Sequence, residues 1–174
     1  MIEETLKANL RTIPDFPKKG ILFYDITTLF KSSECLSLMA DALYDLYKDK
    51  GITKVVGIES RGYILGAILA ARLGAGFIPV RKAGKLPAQV YSESYDLEYG
   101  TGVIEIHTDA VSADDVVLIH DDLLATGGTL DAARRLVERS TPKAIYMNCV
   151  IELVELEGRK SIAGDTELTS LLKL

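Results

Sequence analysis

The strongest constraint on the fold is the segment from Val116 to Thr129, in which four apolar residues run directly into "HDDLLATGGT". A continuous apolar run is typical of a strand that is buried on both faces of a parallel sheet. The two adjacent glycines predict a tight turn, and the pattern from Gly128 to Arg139 predicts a helix. A strand, a glycine turn and a helix in this order indicate an α/β fold.

Predicted strands and helices alternate along the middle of the chain, which favours an open, mostly parallel sheet flanked by helices. The apolar–polar alternation of Val103–His107 is typical of an antiparallel strand, and the prolines and glycine of Ile13–Tyr24 favour an ordered loop. Further strands are predicted at Lys54–Glu59, Phe77–Arg81, Val116–His120, Ala144–Leu153 and Leu168–Leu174, and helices at Glu3–Arg11, Ser33–Lys50, Tyr63–Leu73 and Gly128–Arg139. We expect a single domain that spans residues 1–174.

Length and composition limit the classes of function. The 174 residues carry 20 basic and 25 acidic side chains, a net charge of −5, which argues against a broad nucleic-acid or anionic-membrane surface. The most apolar region, Gly62–Val80, is interrupted by Arg72 and Pro79, so we expect no membrane span. With no apolar leader and with Cys35 and Cys149 far apart, a cytoplasmic protein with two reduced thiols is expected.

The glycine turn has the features of a phosphate-binding site. Its residues are Ala125, Thr126, Gly127, Gly128 and Thr129. In such a turn backbone N–H groups and the positive end of the helix face an anion, and both threonine hydroxyls can donate to it. No Gly-Lys-Ser/Thr follows, so the segment is not a Walker A loop. The alternative is an ordinary turn between strand and helix.

Two carboxylates, Asp121 and Asp122, stand at the mouth of this turn, although they would repel a phosphate. A ligand that carries both a phosphate and vicinal hydroxyls accounts for the pair, because carboxylates accept hydrogen bonds from hydroxyls and help to hold a hard cation. A ribose 5-phosphate unit meets both requirements. The alternative is a pair of solvated acids at the end of a strand.

Five segments, in order, resemble the type I phosphoribosyltransferases and, among them, the adenine phosphoribosyltransferase family. They cover most of the chain, from about Arg11 to Glu155. The segments are "PDFPKKGILFYDIT" (14–27), "ESRGYILG" (59–66), "VRKAGKLP" (80–87), "YDLEYG" (95–100) and "LIHDDLLATGGT" (118–129).

This resemblance implies a Mg²⁺-dependent transfer of the phosphoribosyl group of phosphoribosyl pyrophosphate (PRPP) to adenine, which gives AMP and pyrophosphate in purine salvage. It implies that the 125–129 turn binds the 5-phosphate and that Asp121 and Asp122 serve ribose and Mg²⁺, with the metal carried mainly by PRPP. It assigns pyrophosphate binding to basic residues that follow predicted strands, one of which, Arg61, is also expected to be catalytic. These residues are Arg61, Arg81, Lys82 and Lys85.

The same resemblance implies a small N-terminal hood within residues 1–30, where Leu22 and Phe23 bind adenine. It also implies a flexible hairpin lid within Gln89–His107, in which Glu98 acts on the purine imidazole ring and Tyr99 accompanies it. From the residues alone, Glu98 is better interpreted as a surface acid at the end of a hairpin, and a core aromatic is as good an interpretation of Phe23 as a base-stacking one. A homodimer is implied as well, with the "RKAGKLP" loop near the subunit boundary.

Two residues depart from the family pattern. Tyr24 stands where the family commonly has arginine, and His120 where it has an aliphatic or small residue. His120 is either a strand-end residue or a group that titrates near neutral pH beside the acids. Two other functions remain open: a phosphoribosyltransferase for xanthine or hypoxanthine, and a non-catalytic sensor of PRPP or nucleotides that binds nucleic acid.

Overall fold

The computed structural model describes residues 2–96 and 100–174. Its strands are β1 (Arg11–Pro14), β2 (Leu22–Asp25), β3 (Lys54–Ile58), β4 (Gly76–Lys82), β5 (Val90–Asp96), β6 (Thr101–His107), β7 (Val116–Leu124), β8 (Ala144–Glu152) and β9 (Leu168–Lys173). Its α-helices are α1 (Ile2–Asn9), α2 (Thr27–Lys31), α3 (Ser33–Tyr47), α4 (Gly62–Leu73) and α5 (Gly128–Glu138), and two short 3₁₀ helices span Val154–Leu156 and Gly158–Ser161.

Seven strands form one mixed sheet in the order β5-β6-β4-β3-β7-β8-β9. The pairs β3–β4, β3–β7, β7–β8 and β8–β9 are parallel, whereas β6 is antiparallel to both β4 and β5. The predicted open and mostly parallel α/β sheet is therefore confirmed, and so is the antiparallel strand at 103–107. The carboxyl ends of β3, β4, β7 and β8 meet at one edge of this sheet, where ligands bind in folds of this kind.

Side chains that alternate along the central strands build two hydrophobic cores, one on each face of the sheet. Val55 and Leu118 face the core that includes α1 to α4, and Val56 and Ile119 face the core that includes α5. This is the pattern expected for strands covered by helices on both sides. Among the described residues, no helix combines the length and the apolar character needed to cross a bilayer.

The N-terminal segment differs from the prediction. Residues 13–24 were expected to form a loop, but their two ends form the antiparallel strands β1 and β2, in which Ile13 pairs with Phe23. The turn between them is closed by Asp15, whose carboxylate accepts a hydrogen bond from the Gly20 amide at 2.6 Å. Prolines did not prevent pairing, because Pro14 is the last residue of its strand, where proline is tolerated.

Several boundaries also differ from the prediction. The first helix ends at Asn9 rather than Arg11, and the buried strand predicted to end at His120 continues to Leu124. The longer strand arises because β8 keeps pairing with it, in register through Leu124 and Glu152. The acid pair is therefore part of β7 and does not follow it.

Candidate functional site

The acid pair lies where β7 has lost one neighbouring strand and kept the other. Pairing with β3 ends at Gly57 and His120, whereas pairing with β8 continues through Asp121 and Cys149. Beyond β3 the chain turns into α4, which begins at Gly62 close to this strand. A Cβ on Gly62 would lie 3.0 Å from the His120 carbonyl oxygen and 3.1 Å from an Asp121 carboxylate oxygen. Because Gly62 has no side chain, α4 can begin directly beside the acids.

The two carboxylates have different environments. Asp122 is 5% exposed and forms an ion pair with Arg61, Nε to Oδ2, at 2.6 Å. Asp121 accepts a hydrogen bond from the Asp122 amide at 2.9 Å. Burial raises the pKa of Asp121 well above its usual range, and the neighbouring Asp122 charge raises it further, against the opposing effect of Arg61. The site therefore holds a carboxylate whose charge is poorly stabilised until a cation or a hydroxyl donor arrives.

A cavity of about 390 Å³ opens over these acids. Arg61 and Lys82 contribute positive charge to its lining, and Tyr95 of β5 lines it as well. Its other lining residues are Ile58, Glu59, Ser60, Asp121, Asp122, Leu123 and Thr129. Because it carries both carboxylates and basic groups, the cavity suits a polar ligand with hydroxyls and negatively charged oxygens.

The predicted phosphate turn forms a second, smaller cavity of about 80 Å³, which all five residues of the 125–129 turn line. Gly127 precedes α5 with φ 86° and ψ −10°, a left-handed conformation, and its carbonyl accepts a hydrogen bond from the Asp131 amide at 2.9 Å. Asp121, Leu123 and Thr129 line both cavities. The cradle and the acid-lined cavity are therefore adjacent compartments of one site.

The cradle is supported from below by the 3₁₀ helix Gly158–Ser161. A Cβ on Gly127 would lie 2.2 Å from the Gly158 carbonyl oxygen, and a Cβ on Gly158 would lie 2.2 Å from the Ala125 carbonyl oxygen. Only glycine permits this backbone contact at both positions. The helix is fixed by Arg159, which donates to the Glu152 carboxylate at 2.5 and 2.7 Å.

The predicted pyrophosphate-binding residues gather at the other side of the cavity, around an acid with no role in the prediction. Glu59 accepts hydrogen bonds from the Lys82 amide at 3.0 Å and the Lys85 ammonium at 2.9 Å, and Arg81 Nε lies 3.4 Å from the same carboxylate. The Lys85 ammonium, the Lys82 amide and Arg81 together lower the pKa of Glu59 to about 2, against the opposing effect of burial. Arg61 and Lys82 line the cavity, whereas Arg81 and Lys85 are held beside it by Glu59.

The two predicted base-binding residues occupy opposite faces of β2. Leu22 lines a largely apolar cavity of about 510 Å³, together with Tyr24 and Leu153. Phe23 packs edge-on against Phe16, with ring centroids 5.1 Å apart. Since Leu153 directly follows β8, this cavity opens at the same sheet edge as the acid-lined cavity. Glu98 and Tyr99, predicted to approach the base, lie outside the described residues.

His120 is not a solvated residue at the end of a strand. It is fully buried within β7, and its Nδ1 lies 2.5 Å from the Asn148 side-chain oxygen on β8. Burial lowers the pKa of His120 below its ordinary value. We therefore regard it as a neutral core residue beneath the acids.

Among the described residues, no group of three or more histidine, cysteine, aspartate or glutamate side chains is arranged to hold a metal ion. Two acids alone leave most positions around a hard cation to other oxygens, such as those of a ligand or water.

Three residues of this site were assigned no role from the sequence. Glu59 directly follows β3 at the ligand-binding edge, so its position was a usable signal. Tyr95 lies in the predicted lid, but its contact with this cavity could not be predicted, because it depends on how β5 packs against α5. Leu123 was also unassigned, although it lines both compartments.

Comparisons with known proteins agree with this geometry. Residues 25–168 match the family model described as the phosphoribosyl transferase domain. An adenine phosphoribosyltransferase of Phocaeicola vulgatus is 63% identical over 174 residues, which cover 100% of both chains. The crystal structure of the Rhodothermus marinus adenine phosphoribosyltransferase is 52% identical, with a TM-score of 0.92 over 99% of this chain and 98% of that chain. The Giardia lamblia enzyme, complexed with 9-deazaadenine, is 44% identical, with a TM-score of 0.94 over 100% of this chain and 98% of that one.

Replacement of Gly127 by alanine tests the contact beneath the cradle. The new Cβ would collide with the Gly158 carbonyl, so we expect a loss of about 3 kcal/mol in the free energy of unfolding by urea. We also expect ribose 5-phosphate binding, measured by calorimetry, to be lost. Gly164→Ala is the matched control, since Gly164 has φ 80° and no atom within 4 Å of a Cβ. The control should lose about 1 kcal/mol, and an equal loss in both variants would contradict the clash.

Replacement of Asp121 by asparagine should stabilise the protein. The raised pKa of Asp121 means that its ionisation opposes folding, so wild-type stability falls as pH rises through the window between the ordinary carboxyl value and the raised one. We expect Asp121→Asn to raise the free energy of unfolding at pH 7 by on the order of 1 kcal/mol. This gain should shrink below about pH 4, where the wild-type group is protonated in both states. Urea unfolding over this pH range checks the prediction, with the exposed Asp114→Asn as control. A pH-independent difference would contradict the view that ionisation of Asp121 opposes folding.

Proposed function

Since this chain belongs to the phosphoribosyltransferase family, and within it to the adenine phosphoribosyltransferases, we propose that it transfers the phosphoribosyl group of PRPP to adenine. The products are AMP and pyrophosphate, a purine-salvage reaction. One observation carries the proposal for the site: Asp121, Leu123 and Thr129 line both the phosphate cradle and the acid-lined cavity. A single ligand with a phosphate at one end and hydroxyls next to it can therefore occupy both.

The cradle at 125–129 would bind the 5-phosphate through backbone N–H groups at the start of α5. Asp121 and Asp122 would accept hydrogen bonds from the ribose hydroxyls. The pyrophosphate would lie toward the basic side of the cavity, in direct contact with Arg61 and Lys82. Arg81 and Lys85 would leave their ion pairs with Glu59 and bind the same anion. Arg61 starts in an ion pair with Asp122, so its release toward pyrophosphate also frees that carboxylate for ribose.

The acids also fit Mg²⁺, because carboxylate oxygens suit a hard cation and the buried Asp122 Oδ2, paired with Arg61 at 2.6 Å, would be freed when Arg61 turns to the pyrophosphate. Asp121 and Asp122 would hold the ion, directly or through water, while substrate oxygens complete its coordination. When bound, Mg²⁺ would stabilise the negative charge that develops on the leaving pyrophosphate. Arg61 would add positive charge at the same oxygens without a metal-ligand bond.

For the base we propose the apolar cavity between β2 and the carboxyl end of β8. Leu22 would offer backbone groups to the adenine edge, and Tyr24 and Leu153 line the same space. Phe23 lies on the other face of β2, so it could stack on adenine only if the β1–β2 hairpin reorients. Adenine is favoured by the names of the relatives and by the Giardia complex with 9-deazaadenine.

In the reaction, the bond from the ribose carbon C1 to the pyrophosphate oxygen breaks, and the electron pair leaves with pyrophosphate. Adenine N9 forms the new bond to C1, and the imidazole proton passes to a base, a role we assign to Glu98. Asp121, Asp122 and the cradle hold the sugar so that C1 faces N9. Tyr95 reduces access of water to the positively charged sugar carbon.

We further propose a homodimer that works in the cytoplasm. The family resemblance favours the dimer, and the two buried free thiols, Cys35 and Cys149, suit a reducing compartment. Light scattering coupled to size exclusion tests the dimer.

The substrate is tested by a competition experiment. Purified protein receives PRPP, Mg²⁺ and equimolar adenine, hypoxanthine, guanine and xanthine, and products are identified by mass spectrometry. We expect AMP alone, with a loss of at least about a hundredfold in Glu98→Gln and in the Asp121→Asn, Asp122→Asn double variant.

Each other outcome has a distinct meaning. If a different nucleotide forms, the substrate is another base, and the assignment of the PRPP site still holds. PRPP binding without any nucleotide, together with salt-sensitive binding to DNA or RNA, would favour a sensor and overturn the enzyme assignment.

A further inference from the structure

Arg135 of α5 and Arg139, which directly follows this helix, hold β5 along its length. Arg139 Nη2 donates to the Ser92 carbonyl at 3.2 Å and to the Glu93 carboxylate at 2.6 Å. Arg135 donates to the Ser94 carbonyl at 3.0 Å and to the second oxygen of Glu93 at 3.3 Å. We call Arg135, Arg139 and Glu93 the arginine clamp. It joins three consecutive residues of the strand to the helix that begins at the phosphate cradle.

The clamp is held in place from both sides. The Glu93 side chain is 20% exposed, and its hydrogen bond with Arg139 lowers its pKa. The Arg139 guanidinium lies 5.5 Å from the centroid of the Tyr91 ring, and Arg135 also forms an ion pair with Asp131. Partial burial and multiple partners make this cluster more ordered than a single exposed ion pair.

The residue that the clamp positions is Tyr95, which follows the clamped segment directly. Tyr95 lines the cavity that contains Arg61 and both acids, and its ring lies across Gly102 of β6, where a Cβ would be 2.5 Å from the ring. A Cβ on Gly128 would lie 3.3 Å from the Asp96 carbonyl oxygen and 3.9 Å from the Tyr95 Cβ. β5 therefore rests directly on the first residue of α5, above the cradle.

We propose that Arg135 and Arg139 are positioning residues, which hold β5 on α5 so that Tyr95 covers the transfer site and keeps water from the sugar carbon. This inference rests on the proposed function. Neither arginine lines the acid-lined cavity, so neither would touch the sugar carbon. Arg139 would act through β5 alone, whereas Arg135 also lines a cavity of about 490 Å³ beside Thr126 and Gly128 of the cradle. Arg135 would also link the strand to Asp131, one turn into the helix that binds the phosphate.

Water is the natural competitor of adenine in this reaction. In hydrolysis, the water oxygen forms the new bond to C1, the C1–O bond to pyrophosphate breaks with its electron pair, and a water proton goes to solvent. The products are ribose 5-phosphate and pyrophosphate. The ratio of ribose 5-phosphate to AMP therefore reports how well the site excludes water, and it does not depend on the fraction of folded enzyme.

The experiment measures this ratio for the full chain with PRPP, Mg²⁺ and a subsaturating adenine concentration. We expect it to rise about fivefold in Glu93→Gln and in Arg139→Gln. Because both substitutions break the same clamp, the double variant should resemble either single one. Arg72→Gln is the matched control: Arg72 forms an exposed ion pair with Asp41 between α4 and α3, away from the site. The control should leave the ratio unchanged.

A second comparison tests whether the clamp acts through Tyr95. Tyr95→Ala should itself raise the ratio, and Arg139→Gln should add little in that background. Hydrogen exchange of residues 90–96 should be faster in Arg139→Gln than in Arg72→Gln, and Arg139→Lys should restore part of the protection.

The outcomes separate the two proposals. If the wild type forms no AMP, the proposed function fails. If it forms AMP but the ratio and the exchange of 90–96 are the same in Arg139→Gln and Arg72→Gln, the clamp has no positioning role. Additive effects of Arg139→Gln and Tyr95→Ala would also overturn the inference.

Discussion

Asp121 and Asp122 can reach a ligand because β7 keeps its hydrogen bonds to β8 after β3 has ended. The strand is thereby held rigid on one side and open on the other, over the four residues from Asp121 to Leu124. The open side receives the start of α4, and with it Arg61. The rigid side delivers the glycine turn to a fixed place, where α5 begins. This one asymmetry in strand pairing therefore positions the two acids, Arg61 and the phosphate cradle.

Charge at this edge is arranged in pairs that a ligand can exchange. Arg61 faces Asp122, and Glu59 faces Arg81 and Lys85. Each ion pair stabilises and orients a charged side chain before the substrate binds, because an unpaired charge in a partly buried site costs free energy. A ligand that brings both hydroxyls and negatively charged oxygens can replace both halves of such a pair, and an inorganic phosphate alone cannot.

The residues that carry the chemistry of the site were easier to predict from the sequence than the contacts that hold them in place. The apolar run, the acids and the Thr-Gly-Gly-Thr turn are contiguous in the chain, so local patterns predicted the strand, the turn and the helix that begins at Gly128. The pairing of β1 with β2 was missed because prolines obscured the strand pattern, and the end of β7 was missed because it depends on β8. The clamp between Arg139 and Glu93, 46 residues apart, could not be found, because no local pattern links a helix surface to a distant strand.

The most direct test of the central claim is whether the acids recognise ribose hydroxyls while the cradle recognises phosphate. Calorimetry would compare ribose 5-phosphate with its 2,3-dideoxy analogue, on the wild type and on the Asp121→Asn, Asp122→Asn double variant. We predict that the double variant weakens binding of ribose 5-phosphate by about tenfold and leaves binding of the dideoxy analogue nearly unchanged. An equal loss for both ligands, or no loss for either, would contradict the division of the site into a hydroxyl-binding and a phosphate-binding half.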